Sequence, residues 1–222
     1  MDRLLLTGFE PYATTPVNPA ERVARLLDRQ EIGGISVVSR IVPSSYFRCI
    51  EAAQAAIAEV QPQTVVMMGE FGGRAMVTVE RLAQNLNDCT RYGVVDNDGV
   101  AMQGGLTAPD GPAAYYSTLP IRAMVKAMRQ AGVPADISDT GATFCCNHLM
   151  YGILHHVALQ GLPIRVGWIH LPHLPEVAVQ EENLGHPSMS AETAAAGVAA
   201  GIAAIAAHPA DIDEPIRSCL QA

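Results

Sequence analysis

The chain has 222 residues, nearly half of them apolar, which is enough for one domain with a sizeable core. A net charge of −8 and a single lysine, Lys126, exclude the basic stripe that nucleic-acid binding requires, and no apolar run reaches the roughly 20 residues of a membrane span. Five scattered cysteines make no disulfide framework, so a reducing, cytoplasmic setting is expected; the apolar run at 4–6, followed by Glu10, is too short for a signal peptide.

Leu4, Leu5 and Leu6 end at Thr7-Gly8 and suit a strand buried on both faces. A loop is expected over 9–17. Asn18-Pro19-Ala20-Glu21 then opens a helix with an N-cap, a proline at the first helical position and an acid three residues after the cap. Its inner stripe is Val23, Leu26 and Leu27. β-Branched residues predict a strand over 35–42, and Pro43-Ser44-Ser45 leads into a helix ending near residue 60. A third buried strand, 64–68, runs into Gly69-Glu70-Phe71-Gly72-Gly73.

Residues 76–82 read as extended, with Val77 and Val79 on one face and Thr78 and Glu80 on the other. The stretch 85–112 is polar and glycine-rich, and loops of that length are usually functional. Thr118-Leu119-Pro120 caps a helix to about residue 131. A strand over 135–139 follows and turns into a helix in which Leu149, Met150, Ile153, Leu154 and Val157 recur at spacings of three and four. A strand over 163–171 ends in His170-Leu171-Pro172-His173. Ser190 caps a last, alanine-rich helix through 194–207. The alternation predicts a single-domain α/β/α sandwich over 1–222 with a mainly parallel, twisted central sheet. Its ligand crevice is expected at the carboxyl ends of the strands, where 7–12, 69–73, 138–146 and 170–173 converge.

Cys146 falls at the expected strand-to-helix join, where unpaired N–H groups and the positive end of the helix dipole favour the thiolate. Packing as one of two small core residues with Cys145 is the competing reading. A cysteine nucleophile also needs a base, and the base needs a partner that orients it. His148, His155 and His156 lie along the same helix and suit packing or surface roles, while nothing recommends His186 or His208. His170 terminates an apolar strand, where an idle polar side chain would be costly; His173 is its rival. Neither His170 with His173 nor His148 with His155 has a further ligand at a recognisable spacing, so no metal site is expected. Glu80 sits in an otherwise apolar segment, next to Arg81, and a solvent-facing carboxylate fits the pattern as well as a functional one.

The stretch GEFGGRAMVTVERLAQN resembles the glutamate signature of the pyroglutamyl peptidase I (pyrrolidone-carboxylate peptidase) family of cysteine peptidases, at Gly69, Gly72, Val77, Thr78, Glu80, Arg81, Leu82, Ala83 and Asn85. SDTGATFCCNHLMYGILHH is similar to its cysteine signature at Ser138, Thr140, Phe144, Cys146 and Asn147, with Tyr151 and His155 beyond. LLLTGFEPY…NPA, AAYYSTLP and GWIHLPHLP resemble three further segments in the right order, so the likeness spans nearly the whole chain.

The resemblance implies a triad of Cys146, His170 and Glu80, without metal or cofactor, that removes N-terminal pyroglutamate from peptides through an acyl-enzyme. It implies a lactam pocket made by Phe9, Tyr12, Asn18, Glu70, Phe144 and Cys145, with Arg91 of NDCTRYGVVDN as a second oxyanion donor beside the N–H of Cys146. It also implies a homo-oligomer, often a tetramer. Three departures stand out. Glu70 replaces a glutamine, and an ionised carboxylate only accepts hydrogen bonds. Phe71 stands where a small residue is usual. Gly141-Ala142 reverses the usual order, which strains the alanine if the turn needs positive φ. A shifted acyl specificity and a non-catalytic binding homologue are the alternatives.

Overall fold

A computed structural model describes residues 2–13 and 15–218; Met1, Thr14 and 219–222, with Cys219, lie outside the described residues. The strands are β1 (Asp2–Phe9), β2 (Glu31–Ile32), β3 (Ile35–Val42), β4 (Thr64–Glu70), β5 (Val77–Glu80), β6 (Leu82–Gln84), β7 (Ala114–Tyr116), β8 (Ala135–Ser138) and β9 (Arg165–Leu171). The helices are α1 (Pro19–Leu27), α2 (Cys49–Val60), α3 (Ile121–Gln130), α4 (Cys145–Gln160), α5 (Pro175–Ala178) and α6 (Ala191–Ala207). Seven strands form one sheet in the order β2-β3-β1-β4-β9-β5-β8, and β6 pairs with β7 in a small sheet of their own.

Two apolar cores cover the two faces of the large sheet. Side chains of α1, α3 and α6 pack on Leu4, Leu6, Val66, Met68 and Ile169. Those of α2 and α4 pack on Leu5, Val65, Met67, Val166 and Trp168. Alternation along each strand assigns successive residues to opposite cores, so the central strands carry apolar side chains on both faces. The α/β/α sandwich read from the sequence is therefore the observed architecture. Two of the three expected caps form: Asn18 accepts from Ala20 N at 2.9 Å, and Ser190 accepts from Thr193 N at 3.1 Å, whereas α3 starts after Pro120 with no side-chain cap.

Two corrections concern the sheet. Phe9, placed by the sequence in a loop, is the last residue of β1, paired with Val42. The direction of β5 and β8 also departs from a simple crevice at the carboxyl ends. β5 runs antiparallel to β9, and β8 runs parallel to β5. Only residues 71–76 join β4 to β5, too few for the helical crossover a parallel strand requires. Since β9 lies between β4 and β5, that short link passes over the carboxyl end of β9 before the chain turns back. It lays Phe71 and Arg74 across His170.

Candidate active site

His170 and Thr78 are directly opposed in the β5–β9 pairing, and Glu80 lies two residues along the same face. The His170 Nδ1 meets Glu80 Oε1 at 2.8 Å, and both side chains are almost wholly buried. Cys146 stands in the first turn of α4, above the same face. A Cβ built on Gly69 would lie 2.7 Å from Cys146 Sγ and 3.5 Å from His170 Cδ2. The bare Cα of Gly69 is thus what lets sulfur and imidazole share that space. With Nδ1 committed to Glu80, Nε2 is the ring nitrogen left to serve the thiol.

Glu80 is fully buried, not solvent-facing as one reading of its segment allowed. Burial pushes its carboxyl up, but the hydrogen bond and charge of His170, then the charge of Arg74, hold it below the usual carboxylate range. Arg74 is the residue that sequence reading missed. Its guanidinium donates to Glu80 Oε1 at 2.9 Å, to Thr78 Oγ1 at 2.6 Å and to Thr140 O at 3.2 Å. It also lies 3.6 Å from the centre of the Phe71 ring. The available signal was a lone cation six residues before the acid. Adjacent Arg81 drew attention instead, yet alternation turns it away from Glu80 to pair with Asp139.

Burial lowers the pKa of His170, with Glu80 partly opposing it. Burial raises the Cys146 thiol well above its usual value, and the carboxylates of Glu80 and Glu70 add to that; its own backbone N–H pulls the other way. Burial thus opposes the stabilisation of the thiolate expected at the helix start. A helix terminus contributes about 0.3–1 kcal/mol, whereas burying a charge costs several kcal/mol, so burial wins. It favours the uncharged form of both the thiol and the imidazole.

Phe9, Tyr12, Asn18, Ser44, Glu70, Phe144, Cys145 and Cys146 enclose a small pocket on one side of the sulfur. The Phe9 ring packs on Trp168, and Tyr12 on Phe144. Asn18 both caps α1 and donates to Glu10 O at 3.0 Å. A cavity of about 600 Å³, sharing Tyr12, Glu70, Phe144 and Cys146 with that pocket, opens beside it and is reached by Phe71, Tyr92, Val94, Ala142, His170 and His186. Arg91 lines neither space; exposed on a 3₁₀ turn, its guanidinium sits 5.0 Å from the centre of the Tyr92 ring.

Glu70 forms a second buried acid–imidazole pair, with Oε1 2.8 Å from His173 Nδ1. Burial raises its carboxyl, and His173 and Tyr12 oppose that. The His173 ring stacks on His186, which the sequence gave no reason to single out. His148 is a packing residue: Nε2 meets Tyr46 O and Nδ1 meets Thr107 Oγ1, and burial lowers its pKa to about 4. Ala142 has φ of 62°, the strained geometry anticipated for the reversed Gly141-Ala142 pair.

The sequence model of the pyroglutamyl peptidase family matches residues 2–208. The pyrrolidone-carboxylate peptidase of Mycobacterium tuberculosis is 60% identical over 221 residues, covering 100% of both chains. That of Bacillus cytotoxicus is 41% identical over 198 residues, 89% of this chain and 90% of its own. Among solved structures, pyroglutamyl peptidase I of Bacillus amyloliquefaciens has a TM-score of 0.91 at 34% identity, covering 96% of this chain and 100% of that one. Pyrrolidone carboxyl peptidase of Thermococcus litoralis has a TM-score of 0.91 at 33% identity, covering 97% and 100%.

Proposed function

This chain belongs to the pyroglutamyl peptidase family, and from that premise we propose that it is a cysteine peptidase that removes an N-terminal pyroglutamate from peptides. The reading rests on one observation above all: Cys146 Sγ and the His170 ring both crowd the space over Gly69, while a buried Glu80 holds the ring's Nδ1. Because burial favours the uncharged forms of thiol and imidazole, His170 acts as a general base. It takes the thiol proton as sulfur attacks the carbonyl carbon between pyroglutamate and the next residue. The C–N bond breaks, and His170 returns the proton to the departing amine. Water then hydrolyses the thioester and releases pyroglutamic acid. Glu80 fixes the imidazole tautomer and stabilises its transient positive charge.

Phe144 gives α4 no side-chain cap, so the first-turn N–H groups around Cys146 serve the oxyanion. A role for Arg91 requires its side chain to leave Tyr92. Phe9, Tyr12, Asn18, Glu70, Phe144 and Cys145 form the ring pocket, whose apolar walls suit an uncharged lactam. Pairing of β1 with β4 stops at Gly8–Met68, which places the β1-facing edge of Glu70 beyond the ladder, toward that pocket. The chain is read as one cytoplasmic domain that assembles as a homo-oligomer; no helix among the described residues is long and apolar enough to cross a membrane.

The decisive test is hydrolysis of a pyroglutamyl coumarin amide beside its prolyl counterpart, with and without iodoacetamide, by the wild type and the Cys146→Ser and Cys145→Ser variants. Pyroglutamyl-selective turnover that iodoacetamide and Cys146→Ser abolish, and Cys145→Ser leaves detectable, is the expected outcome. Preference for the prolyl compound supports a shifted acyl specificity, and saturable binding without turnover supports an idle homologue.

A further inference from the structure

The two spaces flanking the Cys146 sulfur differ in size and wall. The smaller is enclosed by Phe9, Tyr12, Asn18 and Phe144 around only about 30 Å³; the larger opens outward over about 600 Å³. The peptide that departs therefore lies in the larger one. The aromatic plate nearest the imidazole in that cavity is Phe71. Its face is pinned 3.6 Å from the Arg74 guanidinium, and its ring meets His170 edge-to-face at 5.2 Å and 84°. Arg74 is itself held by Thr78, Glu80 and Thr140, so the plate is fixed before any substrate arrives. Val94 and Tyr92 border the same cavity, and Arg74, the cation beside Phe71, is spent on Glu80.

We propose that Phe71 is a specificity-determining residue for the departing side of the substrate, forming with Val94 an apolar slot for the side chain that follows pyroglutamate. The chain consequently favours a bulky apolar residue there over glycine. A rigid aromatic wall gains contact area without losing side-chain freedom on binding, which is why it discriminates by size. The inference rests on the peptidase reading given above, since it takes Cys146 as the point from which the two sides are counted.

Release of pyroglutamic acid from pyroglutamyl-phenylalanine amide and pyroglutamyl-glycine amide, followed by chromatography, tests it. The ratio of the two kcat/KM values is expected to be about tenfold or more in the wild type, the lower bound for a well-filled apolar pocket. Phe71→Ala brings that ratio toward one, and Phe71→Leu restores part of it. Were Phe71 only a support for the His170 ring, both substrates would slow together and the ratio would stand unchanged, which overturns the proposal. Val94→Ala lowers the same ratio and covers the case of a Phe71→Ala chain that fails to fold. A wild-type ratio near one overturns the slot and leaves the peptidase reading intact. Absence of turnover on both amides overturns both.

Discussion

Glu80 keeps its charge in a buried site because His170 and Arg74 both contact Oε1; its Oε2 has no hydrogen-bond partner among the described residues. Replacing the carboxylate by an amide keeps the shape and removes the charge that stabilises an imidazolium. Glu80→Gln is therefore expected to lower kcat by about 10²–10⁴-fold with little change in KM. The pH profile adds a second readout. Activity requires neutral His170, whose pKa burial lowers and Glu80 partly raises. Taking Glu80 away leaves burial and the charge of Arg74, both of which lower it, unopposed, so the acid limb of kcat/KM moves to lower pH in the variant. A limb that stays put, or moves up, contradicts the assignment. Ala142 offers a stability test, because alanine at φ of 62° carries a strain that glycine escapes. Ala142→Gly is expected to stabilise the chain by about 0.5–1 kcal/mol in urea denaturation, after the greater freedom of glycine in the unfolded chain is subtracted.

The element that matters most is the six-residue link between β4 and β5. Its shortness forces β5 to return antiparallel, and its path over the end of β9 delivers Arg74 to Glu80 and Phe71 to the His170 ring. Arg74→Met keeps much of the packing and leaves Glu80 buried without its cation. Losing one partner of such a buried pair typically costs about 3 kcal/mol, and the variant should also lose turnover, because His170 then faces a carboxylate more prone to hold a proton. Equilibrium unfolding and single-turnover kinetics on the same preparation separate the two effects. The helix starting at Cys145 and the strand ending near His170 were both legible from apolar periodicity and small-residue turns. The direction of β5 was not, since alternation of Val77 and Val79 with Thr78 and Glu80 is the same whichever way a strand runs. The Arg74 contact depends on that direction and was hidden with it.

Across the molecule, two buried carboxylates respond oppositely to pH. Glu80, held below the usual carboxylate range, adds stability at neutral pH that is lost as pH falls through its lowered value. Glu70, raised chiefly by burial, binds a proton more readily folded than unfolded, so stability falls as pH climbs from the ordinary carboxylate range to its raised value. Glu70→Gln keeps an acceptor for His173 and removes the buried charge. Its melting temperature is expected to exceed the wild type's by a few degrees near pH 7–8, the difference vanishing on acidification below the carboxylate range. Sequence alone determined the layered architecture and the caps of α1 and α6, because apolar periodicity and local turn chemistry are properties of neighbouring residues; the family resemblance implied which side chains belong to the cysteine, histidine and glutamate signatures. The tertiary structure decided the order and direction of strands, the burial that favours an uncharged thiol, the Arg74–Glu80 and Glu70–His173 pairs and the Phe71 plate. Each of these depends on which distant segments share a low-dielectric space, and burial of that kind arises only when the chain has closed on itself.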